Sequence, residues 1–264
     1  MNNIYMPLLL SLIAGLSTVI GSLLIFIKIK RIGEFITFSL SFSIGIMTLI
    51  SIFDLIPSSI PIIINKYYYL YGIPICILTF LLGYLSISKI NKKIDKSNNK
   101  SSLYRIGIVS MISLMLHNFP EGMAVFMGAY TNISIGIKLC IAIMLHNIPE
   151  GIAIAVPLYG VGKRKTFLYT LFSGLTEPLG ALLTYLLFKN YINDIFLSFV
   201  LLFVAGLMIS LSINDMLKEA LSYNKTKYIY IGILSSCFVI VFFIIIIPPF
   251  SNLYHYLHLT SHSR

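Results

Sequence analysis

The chain has 264 residues, of which 58% are hydrophobic and 11% are charged, and its mean hydropathy is +0.92. A soluble domain carries about 25% charged residues, so the composition excludes an ordinary soluble protein and indicates that a lipid bilayer surrounds the chain. The net charge of +10 comes from short polar segments between apolar runs, so we expect no nucleic-acid partner.

Apolar runs separated by polar breaks predict one all-α integral membrane domain over residues 1–264, with eight transmembrane helices. The first run, residues 6–27, has no charge over 22 residues, and a helix needs about 20 residues to cross the hydrocarbon core. We interpret it as a span rather than a signal peptide, because it lacks a basic segment and a small-x-small cleavage site. The polar segment 91–104 is predicted to be a flexible loop. The predicted spans cover residues of about 5–27, 34–56, 71–90, 106–130, 133–158, 166–188, 195–217 and 228–250.

Basic residues predict the orientation of these spans. The loops after the odd-numbered spans hold 15 of the 19 lysines and arginines. Basic loops remain in the cytoplasm, so we expect a multi-pass protein of the plasma membrane with both termini extracellular. The opposite side holds four basic residues, Lys66, Lys138, Lys189 and Arg264.

Two internal repeats predict an inverted-topology architecture. The second and seventh spans share a Phe-x-x-Gly-x-Met pattern, and an aspartate follows the glycine by nine residues in both, as Gly45–Asp54 and Gly206–Asp215. The fourth and fifth spans hold the hexapeptides His-Asn-Phe-Pro-Glu-Gly at 117–122 and His-Asn-Ile-Pro-Glu-Gly at 146–151. The members of each pair cross the membrane in opposite directions. In transporters, such repeats flank a binding site near the midplane.

Five of the nine acidic residues lie inside predicted spans. A carboxylate at the bilayer centre costs roughly 2.5–3.5 kcal/mol on insertion scales. No Lys or Arg lies in the central half of the fourth, fifth or sixth span, so these acids need a polar cavity or a cation from outside the sequence. The five are Asp54, Glu121, Glu150, Glu177 and Asp215.

The spacing within each hexapeptide brings metal-ligand side chains to one helix face. Glu121 follows Asn118 by three residues and His117 by four, so all three project to the same side of the helix. Imidazole nitrogen with carboxylate and amide oxygen suits Zn²⁺, Fe²⁺, Mn²⁺, Co²⁺ or Cd²⁺ better than Cu⁺. The second hexapeptide repeats this spacing with His146, Asn147 and Glu150.

The two hexapeptides, followed by Ser-Gly-Leu-Thr-Glu-Pro-Leu-Gly at residues 173–180, resemble the Zrt/Irt-like (ZIP) family of divalent metal transporters, closest to its bacterial ZupT-like branch. The resemblance implies transport toward the cytoplasm and a binuclear centre in which Glu121 and Glu150 bridge two metal ions. At Ser58 the chain departs from the family pattern, since many relatives carry an acidic residue there. The other ligands that the resemblance implies are His117 and His146 for one ion, and Asn118, Asn147 and Glu177 for the second.

Each candidate residue also has a structural explanation. The hexapeptides could form a polar network that holds helices together, and their asparagines could hydrogen-bond neighbouring helices. Glu177 could be a satisfied buried acid or a proton carrier. Asp54 and Asp215, near opposite ends of their spans, are interpreted as entry and exit stations for the cation, and the alternative is interfacial acids that face water.

Cysteines and the remaining histidines carry less information. Cys76, Cys140 and Cys237 lie in separate apolar runs and are interpreted as small buried hydrophobic residues. The C-terminal segment 254–262 holds three of the five histidines. We interpret it as a short solvated tail, the alternative being a segment that gathers metal outside the cell.

We interpret the chain as a carrier, not an enzyme, that moves Zn²⁺ (or Fe²⁺, Mn²⁺, Co²⁺ or Cd²⁺) into the cytoplasm. One alternative is an intramembrane zinc-dependent hydrolase. The hexapeptides lack the H-E-x-x-H motif of such enzymes, and seven candidate ligands exceed the roughly three of catalytic zinc. A second alternative, a proton or cation channel, explains the acids but gives the paired histidines no role. The sequence leaves the order of metal preference, proton coupling and oligomeric state open, and a homodimer is one allowed state.

Overall fold

The computed structural model describes residues 4–27, 30–95 and 103–246. Every element within these residues is helical, which confirms the predicted all-α fold. Two π-helical segments, Ser51–Leu55 and Ser212–Met216, join α2 to α3 and α8 to α9. The α-helices are α1 (Tyr5–Ile25), α2 (Ile32–Ile50), α3 (Ile56–Asp95), α4 (Leu103–Thr131), α5 (Ile133–Leu158), α6 (Lys163–Gly174), α7 (Thr176–Phe188), α8 (Asp194–Leu211), α9 (Leu217–Ser222) and α10 (Thr226–Ile246).

Long apolar helices make this a multi-pass membrane protein. Within the described residues, five helical stretches are long and apolar enough to cross a membrane, and the apolar helix Thr226–Phe242 is shorter. The count of eight spans stays a prediction. The five stretches are Tyr5–Leu24, Ile32–Ser86, Ile133–Val161, Lys163–Phe188 and Asp194–Ser222.

The longest stretch, Ile32–Ser86, contains a reversal of the chain. It has 55 residues, more than twice the roughly 20 that one crossing needs. The helical geometry of α3 is interrupted at Tyr68, where φ is 60° and ψ is 165°. Gly72 lies against the backbone of Ile64, although residues eight apart in an unbroken helix would be separated by about 12 Å. The two arms of α3 therefore meet at Tyr68 in a sharp turn.

Several helix boundaries differ from the predicted spans. α3 continues to Asp95, so the predicted loop begins later than residue 91, and α4 already begins at Leu103. The predicted sixth span is two helices, α6 and α7, divided at Leu175. Polarity in the sequence indicates where the lipid ends, and a helix continues into water beyond that point. Residues 96–102 and the segment 247–264, which includes the histidine tail, lie outside the described residues.

The helices pack as the inverted repeat predicts. α2 packs chiefly on α10, and α8 packs chiefly on α3. The Ser51 hydroxyl donates to the sulfur of Met208 at 3.7 Å, and the Ser212 hydroxyl donates to the sulfur of Met47 at the same distance. In each repeat, the methionine follows the glycine (Gly45 or Gly206) by two residues and the serine follows it by six. The two bonds are therefore equivalent across a pseudo-twofold axis.

The remaining helices pack around the two hexapeptides. α1 packs on α4, α5, α6 and α7, and α4 packs on α5 and α7. The glycine that ends each hexapeptide allows close approach of a neighbouring helix. Gly122 lies against the backbone of Glu177, and Gly151 lies against the backbone carbonyl of Thr18. A side chain at either glycine would collide with that backbone.

Candidate metal centre

A one-residue connection between α4 and α5 places the two hexapeptides at the same depth. Only Asn132 separates the helices, and its side chain caps α5 by accepting a hydrogen bond from the backbone N–H of Ser134 at 2.9 Å. His117 lies 15 residues before Asn132, and His146 lies 14 residues after it. At 1.5 Å per residue, both histidines are about 22 Å from the connection. The antiparallel helices therefore bring the two hexapeptides together.

Histidine and glutamate side chains from both hexapeptides form one buried cluster. Oε1 of Glu121 lies 3.1 Å from Nε2 of His117 and 3.1 Å from Nε2 of His146. Oε1 of Glu150 lies 3.8 Å from Nε2 of His117. All four residues are fully buried, and one ligand atom from each of His117, Glu121 and His146 lies within 4.8 Å of the others. Three ligand atoms at this separation can bind one metal ion.

Carboxylate oxygens in this cluster lack hydrogen-bond donors. Among the described residues, both oxygens of Glu150 and Oε2 of Glu121 are buried without a hydrogen-bond partner. An ionised carboxylate that is removed from water without a partner is strongly destabilising. A divalent cation between α4 and α5 would supply the missing charge, and so the donor set fits a metal ion.

The amide side chains of the two hexapeptides contact neighbouring helices. The Asn147 amide donates to Oε1 of Glu177 at 2.5 Å and to the backbone carbonyl of Ala14 at 3.0 Å. The Asn118 amide donates to the backbone carbonyl of Ser173 at 3.4 Å. The oxygens Oδ1 of both asparagines and Oε2 of Glu177 are buried without a partner. The amide nitrogens thus hold neighbouring helices, while the oxygens stay available to a cation.

The break in the predicted sixth span positions Glu177. α6 ends at Gly174 and α7 begins at Thr176, so Glu177 lies in the first turn of α7. Unsatisfied backbone N–H groups at a helix N-terminus stabilise a negative charge. The apolar run 166–188 predicts one continuous helix here. The glycine at 174 with Pro178 four residues later was the signal available in the sequence.

Asp54 has a basic partner that the sequence analysis did not assign. The Lys138 ammonium forms an ion pair with Oδ1 of Asp54, and the two side chains are 16% and 18% exposed. Lys138 lies on α5, eight residues before His146, and its place in the sequence predicts only an extracellular basic residue. The Asp54 carboxylate therefore already has a cationic partner.

Asp54 and Asp215 lie in the two equivalent π-helical segments, and neither belongs to the group of three close ligands. π-helical turns often occur at functional sites. Glu219 follows Asp215 by four residues, the spacing of neighbours on one helix face. The equivalent position after Asp54 is Ser58, where the chain departs from the acidic residue of the family pattern. One end of the repeat therefore has two acids, and the other has one acid paired with a lysine.

One apolar pocket is lined both by residues of the cluster and by Leu55, the residue next to Asp54. Glu121 and His146 line one part of the pocket, and Leu55 lines another. Because the candidate ligands are fully buried, this conformation closes the centre to water. The other lining residues are Ile50, Ala124, Leu139, Ala142, Ile143, Leu201, Val204 and Met208.

Comparison with known proteins gives one consistent family. The family described as ZIP zinc transporter matches residues 87–247 of the chain. A zinc transporter ZupT of Clostridium perfringens is 34% identical, covering 89% of this chain and 93% of its own length. A zinc transporter ZupT of Streptococcus mutans is 35% identical, covering 88% and 94%. A zinc transporter ZupT of Chlorobium limicola is 40% identical, covering 85% and 91%.

Proposed function

The chain belongs to the ZIP family of zinc transporters, and from this premise we propose that it carries Zn²⁺ through the centre formed by α4, α5 and α7. One observation supports the proposal most directly. His117, Glu121 and His146 place three ligand atoms within 4.8 Å of one another, and all three residues are fully buried. Buried acids without a basic partner in the middle of membrane helices are most simply explained by a cation that binds there.

We propose two adjacent cation sites with different chemistry. His117, His146 and the two hexapeptide glutamates give a nitrogen and oxygen site, which suits Zn²⁺. The asparagine oxygens and Glu177 give an all-oxygen site, which also accepts harder cations such as Mn²⁺. The unpartnered oxygens on each side support this division. The shared residues would be Glu121 and Glu150, each of which shares a helix face with the histidine and the asparagine of its own hexapeptide.

Transport fits this centre better than hydrolysis does. Catalytic zinc keeps an open position beside about three protein ligands, whereas this chain offers seven candidate ligands. Neither hexapeptide has the H-E-x-x-H spacing of zinc hydrolases. The comparisons give the hydrolase alternative no support, and the family is one of transporters.

The direction of transport and the membrane are further parts of the proposal. The basic residues after the odd-numbered predicted spans support an orientation in the plasma membrane in which those loops face the cytoplasm. Asp54 then lies near the extracellular end of the pathway, and Asp215 lies near the cytoplasmic end. Large apolar side chains such as Leu234 and Phe238 are 67% and 73% exposed, as expected for a surface that contacts lipid.

The test is uptake of radiolabelled Zn²⁺ by proteoliposomes that contain the purified protein. We expect saturable uptake that unlabelled Zn²⁺ and Cd²⁺ reduce by competition. Proton current without Zn²⁺ flux would favour the channel, and absence of any flux with intact reconstituted protein would contradict the carrier. Competition by Fe²⁺, Mn²⁺ and Co²⁺ in the same vesicles gives the order of preference.

A further inference from the structure

The pseudo-twofold axis assigns an equivalent in α1 to each residue around Glu177. Gly15 and Gly174 pack against each other's backbone carbonyl. Three residues later in each helix stand Thr18 and Glu177, and Thr18 lies against Gly151 as Glu177 lies against Gly122. Thr18 is therefore the structural equivalent of Glu177, a candidate ligand. One further pair continues the same register, since Gly21 packs on the carbonyl of Ile148 and Gly180 packs on that of Phe119.

Hydrogen bonds of the asparagines follow the same relation. The Asn147 amide donates to the carbonyl of Ala14, and the Asn118 amide donates to the carbonyl of Ser173. Ala14 and Ser173 each precede the first glycine of the register by one residue. The equivalence thus covers polar contacts of the centre and not only helix packing. The equivalence ends at one contact. Asn147 also donates to Glu177, whereas the residue of α1 in the equivalent position for Asn118 is Thr18.

The Thr18 hydroxyl lacks the bond that threonines in helices usually make. Thr18 is fully buried, and its Oγ1 has no hydrogen-bond partner among the described residues. A helical threonine normally donates to the carbonyl four residues earlier, which for Thr18 is Ala14. That carbonyl already accepts from the Ser17 hydroxyl at 2.6 Å and from Asn147 at 3.0 Å. Six other threonines make the usual bond: Thr37, Thr79, Thr131, Thr166, Thr170 and Thr184.

We propose that Thr18 is a further positioning residue of the metal centre, whose hydroxyl binds a water molecule carried by the cation on the side of Asn118. This inference rests on the proposed function. A threonine oxygen lies two covalent bonds nearer to its own backbone than a glutamate oxygen does. The equivalent of the Glu177 carboxylate is therefore a shorter, neutral hydroxyl, which would reach the cation through one water. A hydroxyl both donates and accepts, so it can orient a metal-bound water whose hydrogens point toward it.

A threonine at the position equivalent to Glu177 also suits a carrier. With Thr18, the centre has three carboxylates, Glu121, Glu150 and Glu177, to bind two divalent cations. A glutamate at position 18 would add a fourth negative charge and strengthen binding. A conduction site must bind an ion weakly enough to release it. A hydroxyl that acts through water holds the cation in place without an additional charge.

Metal affinity of the purified protein in detergent tests this inference. Thr18→Val keeps the shape of the side chain and removes the hydroxyl, while Thr18→Ser keeps the hydroxyl. The matched control is Thr184→Val on α7, because Thr184 is also buried but donates to the Gly180 carbonyl at 2.8 Å. Cd²⁺ and Zn²⁺ binding are measured by equilibrium dialysis, and thermal unfolding is measured with and without metal.

We expect Thr18→Val to weaken metal binding by about tenfold or more, the usual effect of losing a group that orients a ligand. Thermal unfolding without metal should match that of Thr184→Val, and Thr18→Ser should retain wild-type affinity. Thr18→Ala is measured in parallel, so that the result does not depend on the folding of one variant. Wild-type affinity in Thr18→Val and Thr18→Ala, or equal weakening in Thr18→Ser, overturns the role of Thr18. A wild-type protein that binds no metal contradicts the proposed function itself.

Discussion

Lys138 on α5 forms an ion pair with Asp54, in the π-helical segment that follows α2. The pair joins two parts of the chain that the inverted repeat does not relate, because α4 has Val109 at the position equivalent to Lys138. At the other end of the repeat, Asp215 stands beside Glu219 instead. The two aspartates of the repeat therefore have different charged neighbours, although their backbones are equivalent.

The ion pair gives a prediction about entry of the cation. An ammonium at Asp54 repels an approaching divalent ion and competes with it for the carboxylate. We expect Lys138→Gln to lower the KM for Zn²⁺ uptake on the order of tenfold at low ionic strength, because the charge near the entrance becomes negative. Uptake kinetics in proteoliposomes of known orientation measure this.

Two further variants control this experiment. Lys189→Gln removes another predicted extracellular lysine, which lies 5.4 Å from the ring centre of Tyr185, and should leave the KM unchanged. Asp54→Asn added to Lys138→Gln should remove the gain. If Lys138→Gln alone leaves the KM unchanged or raises it, the pair serves only to attach α5 to the π-helical segment.

The second prediction concerns the shared ligands. Glu121→Ala and Glu150→Ala should each abolish Zn²⁺ uptake, because each glutamate would contact both cations. Surface expression and thermal unfolding should show folded, inserted protein. Glu34→Gln is a suitable control, since Glu34 pairs with the exposed Arg31 at 3.5 Å and lies away from the centre. Normal uptake in either alanine variant would rule out the binuclear arrangement.

The third prediction is a pH dependence. A histidine must be neutral to bind a metal ion, so protons compete with the cation. Uptake should fall as the external pH becomes acidic, because a protonated imidazole cannot bind the cation. Metal binding by a double variant, His117→Ala with His146→Ala, should depend little on pH. The measurement is metal bound per protein across the same pH range as uptake. An unchanged pH profile in that variant would assign the titration to other groups, with the carboxylates first among them.

The fourth prediction concerns release. Asp215→Asn removes the charge at the predicted cytoplasmic end and keeps the size of the side chain. We expect slower turnover while the central site still binds metal, because the cation loses the acid that receives it. Uptake rate and metal bound per protein are measured on the same preparation. Loss of bound metal in Asp215→Asn would place this residue in the centre, and wild-type kinetics would make it a solvated interfacial acid.

The all-α membrane fold and the two hexapeptide faces follow from the sequence alone. A carboxylate inside an apolar run is costly wherever the helix packs, so Glu121 and Glu150 stand out without knowledge of their neighbours. Their relation to His117 and His146 is local, because residues four apart share a helix face in any α-helix. The repeat of the hexapeptide also predicts that two such faces exist at one depth.

Contacts between distant residues depend on how the helices pack, and only the tertiary structure decided them. Periodicity does not determine the rotation of α5 that brings Lys138 to Asp54, or the break at Leu175 that places Glu177 at a helix N-terminus. The equivalence of Thr18 and Glu177 has the same origin, since their side chains share no sequence pattern and are related only through the backbones that contact Gly151 and Gly122. Local spacing determined which residues could bind a metal, and close helix packing at small residues determined which of them meet.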